Sequence, residues 1–481
     1  MDMKLHHLIE SVKRTAADQQ LWSPNDCIIV AVSGGPDSIA LLHVLHHISV
    51  THMPLRLVCA HANHGFRQES IEEAEMVKRI ASDLDIPFEM AELDIPSYMK
   101  ISGMGPQEAS RIKRYEFLLQ VASQYDSKRV ALAHHADDQA ETVIMRLLRG
   151  SGPSGLSGMK IKRREKNVEL IRPFLRIYKS DLLEVCEANG YEYAVDQTNL
   201  QSKYRRNAVR LDILPFLGQY NKQIASSLNQ LAEVMTAEDD FVEQAAKDVY
   251  RNLVQHMDGR LAFKVPSFLG LHVALQRRLI KLILNYLSTA SEISDFHKIE
   301  RIRDGILRDD ATTWSFDLGG GVTCQREYEQ ICFFSHPVSQ ESSYTYHLEE
   351  AASELWLSEI GKVLTVSVSS WKGQLPSEAW KDLNEAVFDK EQLSFPLTVR
   401  SRKPGDLMTV MGLNGSKKVK DIFIDDKIPP SLRQRIPMVV DSQGRILWIP
   451  GVRRSDIATV ESNTNSVLHM RLKEPESQQI M

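Results

Sequence analysis

The amino-acid sequence predicts an α/β protein: a Rossmann-like domain with a parallel sheet, then a helical domain and a small β-rich or α+β C-terminal domain. Three observations support this. Strand-like and helix-like segments alternate over the first ~210 residues. Apolar residues then recur at three- and four-residue spacing, and short β-like runs broken by Pro and Gly fill the last ~135 residues. We expect domains at 1–214, 215–335 and 336–481.

The first domain begins with a buried strand over 26–32, which passes through a glycine turn into a helix reaching His47. The pattern further predicts strands at 55–60, 88–93 and 129–133, and helices at 70–84, 106–125 and 138–148. Gly150 ends the last of these helices, and the Gly/Ser/Pro stretch that follows is typical of a loop.

In the second domain, a helical pattern runs from Pro215 to about Arg308. The alternation at 314–334 predicts two short strands. The acidic, Ser-rich stretch at 336–346 is the predicted boundary to the third domain, and no internal repeat is visible.

Composition places the chain among ordinary globular proteins. Of its 481 residues, 43% are hydrophobic and 25% are charged, and the net charge is −5. These values exclude disordered and collagen-like chains. The longest apolar runs have the length of a strand, well short of the ~20 residues that span a bilayer. Because the N-terminus resembles an amphipathic helix rather than a leader, we expect a cytoplasmic protein with no membrane partner.

Cysteine usage agrees with a reducing compartment. The five cysteines are Cys27, Cys59, Cys186, Cys324 and Cys332. None forms a CxxC pair, which argues against a disulfide scaffold and against a four-cysteine zinc site.

Charge is distributed unevenly along the chain. Basic residues outnumber acidic ones at 146–210 and at 397–435, whereas acidic residues dominate 335–396. Two basic zones are compatible with a polyanion contacted at two places. Charge alone is equally compatible with solvated surfaces.

The most specific signal is a glycine loop that directly follows a buried strand and opens a helix. It consists of Ser33, Gly34, Gly35, Pro36, Asp37 and Ser38. Two glycines let backbone N–H groups turn inward, and the helix N-terminus adds partial positive charge, so the turn suits a phosphate. The loop lacks the lysine of GxxxxGK[ST] and the spacing of GxGxxG, which disfavours both of those sites. The alternative is that Ser33 and Asp37 only cap the helix.

This SGGPDS loop resembles the PP-loop of the ATP-pyrophosphatase superfamily, whose members cleave ATP between the α and β phosphates and adenylate a substrate. The resemblance implies an ATP site that includes Pro36, with Ser33, Gly34, Gly35 and Ser38 holding pyrophosphate. It also implies a position for Asp37 beside the ligand, where it could organise Mg²⁺.

Further motifs resemble one branch of that superfamily, the tRNA(Ile)-lysidine synthase family in its long form. They are AHANHGFR (60–67), EASRIKRYEFL (108–118), HHADDQAETVIMRLLRGSG (134–152), IRPFL (171–175), DQTN…YRRNAVR (196–210) and the C-terminal RKPGD…GSKKVKDIFIDDKIP…ILWIPGVR. The third of these is the most specific, and 335–387 carries the weakest resemblance.

A carboxylate pair lies in the third motif. On a helix, Asp138 is one turn from Glu141, so both side chains could project towards the cleft above the sheet and hold an ammonium group or Mg²⁺. The alternative is a simple capping arrangement. The family resemblance implies a lysine pocket at Asp138 and Glu141, and leaves open which of the two accepts the proton of the amine. The preceding His134 and His135 are compatible with packing or hydrogen bonding, and no further ligand at suitable spacing supports metal binding.

Basic residues supply candidate contacts for nucleic acid. Arg111 and Arg114 are one turn apart and could meet a phosphate or a base, and we assign Arg114 a catalytic role. The predicted tRNA-binding residues are Arg205, Arg206, Asn207 and Arg210, followed by Lys417 and Lys418. For the arginines of the helix and for the lysines, a solvated surface is the alternative.

The resemblance implies a two-step reaction. The C-2 oxygen of the wobble cytidine in a CAU-anticodon isoleucine tRNA attacks the α-phosphate of ATP and releases pyrophosphate. The ε-amine of free L-lysine then displaces AMP and gives lysidine, which switches decoding from AUG to AUA. ATP and Mg²⁺ are the expected cofactors, a homodimer is left open, and the helical and C-terminal domains would hold the tRNA.

Two other functions are compatible with parts of the sequence. A tRNA thiolase of the same superfamily would need a persulfide cysteine or an iron–sulfur cluster, for which no CxxC exists. A non-catalytic ATP- or RNA-binding module would not need the carboxylate pair at Asp138 and Glu141.

Overall fold

The computed structural model describes residues 3–63, 69–194, 205–257, 259–288, 295–335, 343–349, 353–371, 382–410 and 415–475. Parts of two predicted motifs, at 64–67 and at 196–204, lie outside these residues. The chain divides into two compact units, Met1–Glu243 and Gln244–Met481. The predicted domain boundaries at 214/215 and 335/336 therefore stay predictions within these units.

The first unit is built from alternating strands and helices. Its strands are β1 (Cys27–Ala31), β2 (Arg56–Asn63), β3 (Phe88–Glu92), β4 (Arg129–Ala131), β5 (Lys162–Glu165) and β6 (Val168–Ile171). Its helices are α1 (Met3–Gln19), α2 (Pro36–Thr51), α3 (Glu69–Asp83), α4 (Ile95–Ser102), α5 (Pro106–Gln124), α6 (Ala136–Leu147), α7 (Pro153–Leu156), α8 (Lys179–Asn189), α9 (Arg205–Ala208), α10 (Leu214–Gly218) and α11 (Ile224–Leu253), with a π-helical turn at Val209–Ile213. Helix α11 continues past the end of the unit.

These strands form one sheet in the order β3-β2-β1-β4-β6-β5. All neighbours pair in parallel except β5, which is antiparallel to β6. The chain runs outward from β1 through β2 to β3 and then returns to add β4 on the other side of β1. The order therefore reverses between β1 and β4, and the carboxyl ends of strands at such a point form the usual ligand crevice of an open α/β sheet.

Both faces of this sheet are covered. Ile28 and Val30 of β1 pack with the apolar residues of α1, α2 and α8, whereas Ile29 packs with Phe117 and Val121 of α5. Side chains alternate between the two faces of a strand, so a sheet buried on both sides needs a continuous apolar run. The sequence CIIVA provides that run, and the parallel pairing of this strand in the structure confirms the predicted sheet.

The second unit is rich in antiparallel strands. Its strands are β7 (Gln255–Met257), β8 (Arg260–Lys264), β9 (Thr313–Gly319), β10 (Val322–Glu327), β11 (Gln330–Phe334), β12 (Thr345–Leu348), β13 (Ser353–Leu357), β14 (Lys362–Ser370), β15 (Glu385–Asp389), β16 (Leu397–Arg400), β17 (Leu407–Thr409), β18 (Ser416–Lys418), β19 (Met438–Val440), β20 (Ile446–Ile449), β21 (Arg453–Arg454) and β22 (Ser466–Lys473). Its helices are α12 (Val265–Leu269), α13 (Val273–Leu287), α14 (Phe296–Leu307) and α15 (Val419–Asp425), with a 3₁₀ turn at Lys390–Gln392.

These strands form four sheets, in the orders β7-β8-β11-β10-β9, β12-β16-β19-β20-β21, β13-β14-β22-β15 and β17-β18. The structure confirms a β-rich C-terminal region. It has three strands at 313–334, where the pattern predicted two, and a β7–β8 hairpin inside the predicted helical stretch. The hairpin strands are too short to show a two-residue period, although the Asp258-Gly259 dipeptide is a typical hairpin signal.

A charge cluster joins α13 to α14 in this unit. Glu300 accepts two hydrogen bonds from Arg277, at 2.7 and 3.0 Å, and two from Arg303, at 3.2 and 3.1 Å. The hydrogen bonds from Arg277 are the main cause that lowers the pKa of Glu300 from 4.5 to about 2.

Replacing Glu300 by glutamine tests this cluster. A carboxyl whose pKa is lowered by folding stabilises the protein above its unfolded pKa, and this contribution is lost as the pH falls through the folded pKa. After solvent screening we expect E300Q to lose about 1 kcal/mol at pH 7, and the gap to wild type to close between pH 4.5 and 2. Urea unfolding at pH 7 and pH 3 measures the difference in the free energy of unfolding between E300Q and wild type. The exposed pair Asp248–Arg251 supplies the control D248N, and an equal gap at both pH values would contradict the ionic origin.

Candidate active site

The glycine loop follows β1 and opens α2, as predicted. Gly34 has a φ of +90°, a conformation that favours glycine, and Gly35 and Pro36 are the N-cap and the first residue of the helix. The Ser33 N–H donates to Ser38 Oγ at 3.1 Å, and that hydroxyl lies 2.9 Å from the Gly35 carbonyl oxygen. The loop is thus held by its own bonds. The N-cap is Gly35, so neither Ser33 nor Asp37 occupies the capping position that the alternative required.

Asp37 lies in the first turn of α2 with a largely buried carboxylate. Its Oδ1 is buried and has no hydrogen-bond partner within the described part of the chain. Burial raises its pKa, although His135 and Lys179, each 3.7 Å from Oδ2, oppose the shift. A buried carboxylate oxygen without a partner is the kind of ligand that Mg²⁺ takes together with substrate phosphates.

Across the crevice, α6 begins after β4. The backbone N–H of His135 donates to Asp138 Oδ2 at 3.2 Å. The residues that cap the first turn of α6 are therefore His135 and Asp138, and not Asp138 and Glu141. Burial of the His135 ring lowers its pKa, but Asp137, Asp138 and Asp37 outweigh this effect and raise it overall. The His135 ring therefore lies between the Asp37 and Asp138 carboxylates, with Nε2 at 3.7 and 3.5 Å from their Oδ2 atoms.

The carboxylate pair is bound by two arginines. Arg206 Nε donates to Glu141 at 2.7 Å, and its Nη2 donates to Asp138 Oδ1 at 2.9 Å. Arg210 donates from Nε to the other Glu141 oxygen and from Nη2 to Asp138 Oδ1 at 3.3 Å. The Glu141 side chain is only 1% exposed, whereas that of Asp138 is 12% exposed. The sequence placed these arginines with the tRNA and these carboxylates with lysine, and the structure brings both sets into one cluster.

The remaining members of the predicted RRNAVR cluster, Arg205 and Asn207, lie on α9. Arg205 is exposed, and Asn207 is half-buried. Their predicted contact with tRNA stays a prediction.

A basic cavity of about 460 Å³ lies beside this cluster. Among the residues that the structure describes, its lining includes no carboxylate and six cationic side chains, from Arg111, Arg146, Lys160, Arg163, Arg172 and Arg206. A cavity with this charge attracts an anionic ligand such as a nucleic-acid backbone.

Arg114, the predicted catalytic arginine, lies on α5. Its Nε is buried without a hydrogen-bond partner among the described residues. Burial lowers its pKa, and the nearby Arg111 and Arg206 add to the effect. Arg114 is therefore close enough to Arg206, a member of the carboxylate–arginine cluster, for their charges to repel.

The sequence alone indicates no role for Arg172, which lies in the IRPFL motif. The side chain is buried, with 3% exposure, and its Nε donates to His134 Nδ1 at 3.2 Å. His134 also lines the basic cavity. The position of the motif at the end of β6, beside β4, was the signal that could have placed Arg172 in the site.

The two C-terminal lysines differ in their surroundings. Lys417, in β18, pairs with Asp425 of α15. Lys418 is exposed at the start of α15. Lys418 is therefore the better placed of the two to meet a phosphate.

The five cysteines argue against sulfur chemistry. All are free and buried. Burial raises the pKa of both Cys59 and Cys186 to about 12, so neither is a ready thiolate. The thiolase alternative is not favoured.

The described residues hold no cluster of three or more His, Cys, Asp or Glu suited to a metal ion. In the same part of the chain, no helix has both the length and the apolar character that crossing a membrane requires.

Comparisons with known proteins cover nearly the whole chain. Family models match for a PP-loop domain at residues 4–217, a TilS substrate binding domain at 263–332 and a TilS substrate C-terminal domain at 397–471. The tRNA(Ile)-lysidine synthase of Geobacillus kaustophilus is 34% identical over 454 residues, which cover 93% of this chain and 95% of that protein. The Bacillus subtilis tRNA(Ile)-lysidine synthase is 34% identical over 93% of this chain and 94% of its own length.

A longer relative has the same similarity. The bifunctional protein TilS/HprT of Listeria monocytogenes serotype 4b is 35% identical over 94% of this chain and 68% of its own length. Identity at this level extends over almost the full length of the two synthases and covers the PP-loop, helix α6 with Asp138 and Glu141, and the C-terminal sheets. The chain therefore belongs to the tRNA(Ile)-lysidine synthase family.

Proposed function

We propose that this chain ligates free lysine to C-2 of the wobble cytidine in a CAU-anticodon isoleucine tRNA and converts ATP to AMP and pyrophosphate. The observation that carries the proposal is that the glycine loop and α6, the helix with Asp138 and Glu141, lie on opposite sides of the crevice between β1 and β4. Membership of the tRNA(Ile)-lysidine synthase family supports the identity of the substrates.

For the adenylation half, the loop supplies the electrostatic contribution. The pyrophosphate site would comprise Ser33, Gly34, Gly35, Pro36 and Ser38: the glycines supply backbone N–H groups, the serines supply hydroxyls, and Pro36 begins α2, whose N-terminus is positive. We assign the Mg²⁺ site to Asp37, whose buried Oδ1 has no partner among the described residues. Bound there, Mg²⁺ would neutralise phosphate charge. The chain's own contribution is to hold these charges in place before the reaction, which costs no reorganisation during it.

For the lysine half, we assign different roles to the two carboxylates. Glu141 is fully buried and binds both arginines, so it anchors the cluster. Asp138 is closer to the crevice and is the better candidate to contact the amine and take up its proton. The flipped cytidine would enter between the loop and this cluster, with Arg114 and Arg206 beside it.

The tRNA itself would meet both basic zones. The basic cavity next to α6 suits the flipped nucleotide together with its phosphates. Lys418 and, to a smaller extent, Lys417 would bind phosphate elsewhere on the tRNA. The free, buried cysteines also fit our assignment of a cytoplasmic, reducing location.

Replacing Lys418 by alanine is expected to weaken tRNA binding and to reduce the slope of log Kd against log salt by about 1, because one phosphate contact and its released counterion are lost. Filter binding from 50 to 200 mM salt measures it. The exposed Lys100 on α4 supplies the control K100A, which should bind as wild type does. An unchanged slope in K418A would show that Lys418 does not contact a phosphate of the tRNA.

The decisive test of the function uses Mg-ATP, radiolabelled lysine and two unmodified transcripts, the CAU isoleucine tRNA and the methionine elongator. We expect ATP-dependent incorporation into the isoleucine tRNA only. Pyrophosphate release without incorporation would keep adenylation and exclude lysine as the nucleophile. No release with either transcript would overturn the proposed function.

A further inference from the structure

We propose that His134 is a further catalytic residue, which donates a hydrogen bond from Nε2 to an acceptor of the flipped wobble base, and that Arg172 is a positioning residue that fixes the ring for this contact. The inference rests on the proposed function and adds two residues to it. From the sequence, His134 is compatible with packing or with hydrogen bonding, and the structure shows its hydrogen-bond partner, Arg172.

The contact between the two residues determines which nitrogen of His134 carries the proton. Arg172 Nε lies 3.2 Å from His134 Nδ1. A guanidinium N–H can only donate, so Nδ1 must accept. In a neutral imidazole the proton then resides on Nε2, which becomes the donor.

The Arg172 side chain cannot easily turn away from this contact. Besides Nε, its Nη1 donates to the Lys160 carbonyl oxygen at 2.7 Å, and its backbone N–H donates to the Ile161 carbonyl oxygen at 2.9 Å. Both acceptors belong to the chain that leads into β5, the antiparallel edge strand. The fold thus holds the guanidinium at the Nδ1 side of the His134 ring.

The surroundings of His134 keep it neutral. Burial lowers its pKa well below the ordinary value, and Arg172, Arg206 and Arg114 add to the effect, while Asp138 alone opposes it. These four charged groups lie in the segment after β6 and in helices α9, α5 and α6. A donor without a charge is therefore available at neutral pH.

The free side of the ring belongs to the basic cavity. Within the described residues, His134 Nδ1 bonds Arg172, and the ring lines the cavity together with Thr142 of α6. A volume of about 460 Å³ lies within the range of small-ligand sites. Cytosine carries two acceptors, O2 and N3, next to the carbon that reacts, and enzymes that flip a base read such an edge by hydrogen bonds. A neutral Nε2–H donor matches this edge.

The first test compares amide replacements of His134. The longer glutamine can place its amide nitrogen near the position of Nε2, whereas asparagine reaches only to that of Nδ1. We expect H134Q to keep kcat/KM for tRNA within about tenfold of wild type, and H134N to lose about 10²-fold, the usual cost of one preorganised donor. Equal losses in both variants would overturn the donor role.

The second test separates positioning from folding. We expect R172M to lose about 10²-fold in the wild-type background, because the ring is free to turn and to change tautomer. The H134Q/R172M double variant should lose little more than H134Q alone, since an amide needs no tautomer control. A merely structural Arg172 would cost the same in both backgrounds, and that result would overturn the inference. Absence of lysine incorporation by the wild type would instead contradict the proposed function.

Discussion

Replacing Asp37 by asparagine is expected to lower tRNA-dependent pyrophosphate release by about 10³-fold, the upper end of what one preorganised electrostatic group contributes. Asparagine preserves the shape of the side chain and removes only its charge. Because Oδ1 is buried and has no protein partner in the described chain, the charge serves a ligand rather than the fold. Asp37→Ala should be as inactive as Asp37→Asn.

The same variant should not lose stability. Burial raises the pKa of Asp37, so its ionised form is less favourable in the folded than in the unfolded protein at any pH above 3.8. Removing the charge should leave the melting temperature unchanged or raise it. This opposite movement of activity and stability is typical of functional groups held in unfavourable surroundings.

Pyrophosphate release and thermal melting, measured side by side, check both expectations. The exposed Asp18 of α1 supplies the control Asp18→Asn, which should change neither quantity. A D37N protein that releases pyrophosphate at the wild-type rate would remove Asp37 from the mechanism. A D37N protein that melts at a markedly lower temperature would show that the carboxylate supports the fold instead.

Much of the first unit follows from local sequence patterns. The continuous apolar run CIIVA predicts a strand buried on both faces, and Gly34 and Pro36 mark the turn and the start of α2. Each predicted strand and helix of this sheet is present within a few residues of its predicted bounds. The β5–β6 hairpin escaped prediction because its strands have four residues each, too few to establish a period.

The contacts inside the site depend on tertiary structure and could not be derived from spacing. Asp138 and Glu141 were recognisable as a pair because helical geometry relates them. Arg206, 65 residues beyond Glu141, has no local relation to it, and a basic cluster in the sequence equally predicts a phosphate contact. Arg172 reaches His134 only because β6 lies beside β4 in the sheet.

The carboxylate cluster gives the second large expected effect. Asp138→Asn should lower lysine incorporation by about 10²-fold and leave tRNA-dependent pyrophosphate release near the wild-type rate, because the lost group acts after adenylation. Its remaining oxygen can still accept the His135 N–H, so the start of α6 should stay intact. Glu141→Gln should lower both incorporation and stability. Glutamine offers one acceptor to two guanidiniums, and the half-exposed arginines limit the cost to about 1 kcal/mol.

Incorporation, pyrophosphate release and melting temperature of the two variants check this division of roles. Asp137 lies in the same helical turn, and its carboxylate accepts the Lys179 N–H at 2.9 Å. Asp137→Asn keeps an acceptor there and should incorporate lysine within about threefold of wild type. If Asp138→Asn blocked pyrophosphate release as fully as incorporation, Asp138 would belong to adenylation.

The charge balance of the cluster explains why an amine can react there. Two carboxylates, Asp138 and Glu141, are matched by two guanidiniums, Arg206 and Arg210. An isolated carboxylate pair would hold an incoming lysine as its ammonium ion, which has no lone pair for attack on carbon. With both arginines in place, carboxylate oxygens can still accept a hydrogen bond from the amine, but no net negative field favours its protonation. The arginines therefore lower the tendency of the bound amine to stay protonated, compared with a carboxylate pair alone, and we expect their loss to shift the pH optimum of lysine incorporation upward.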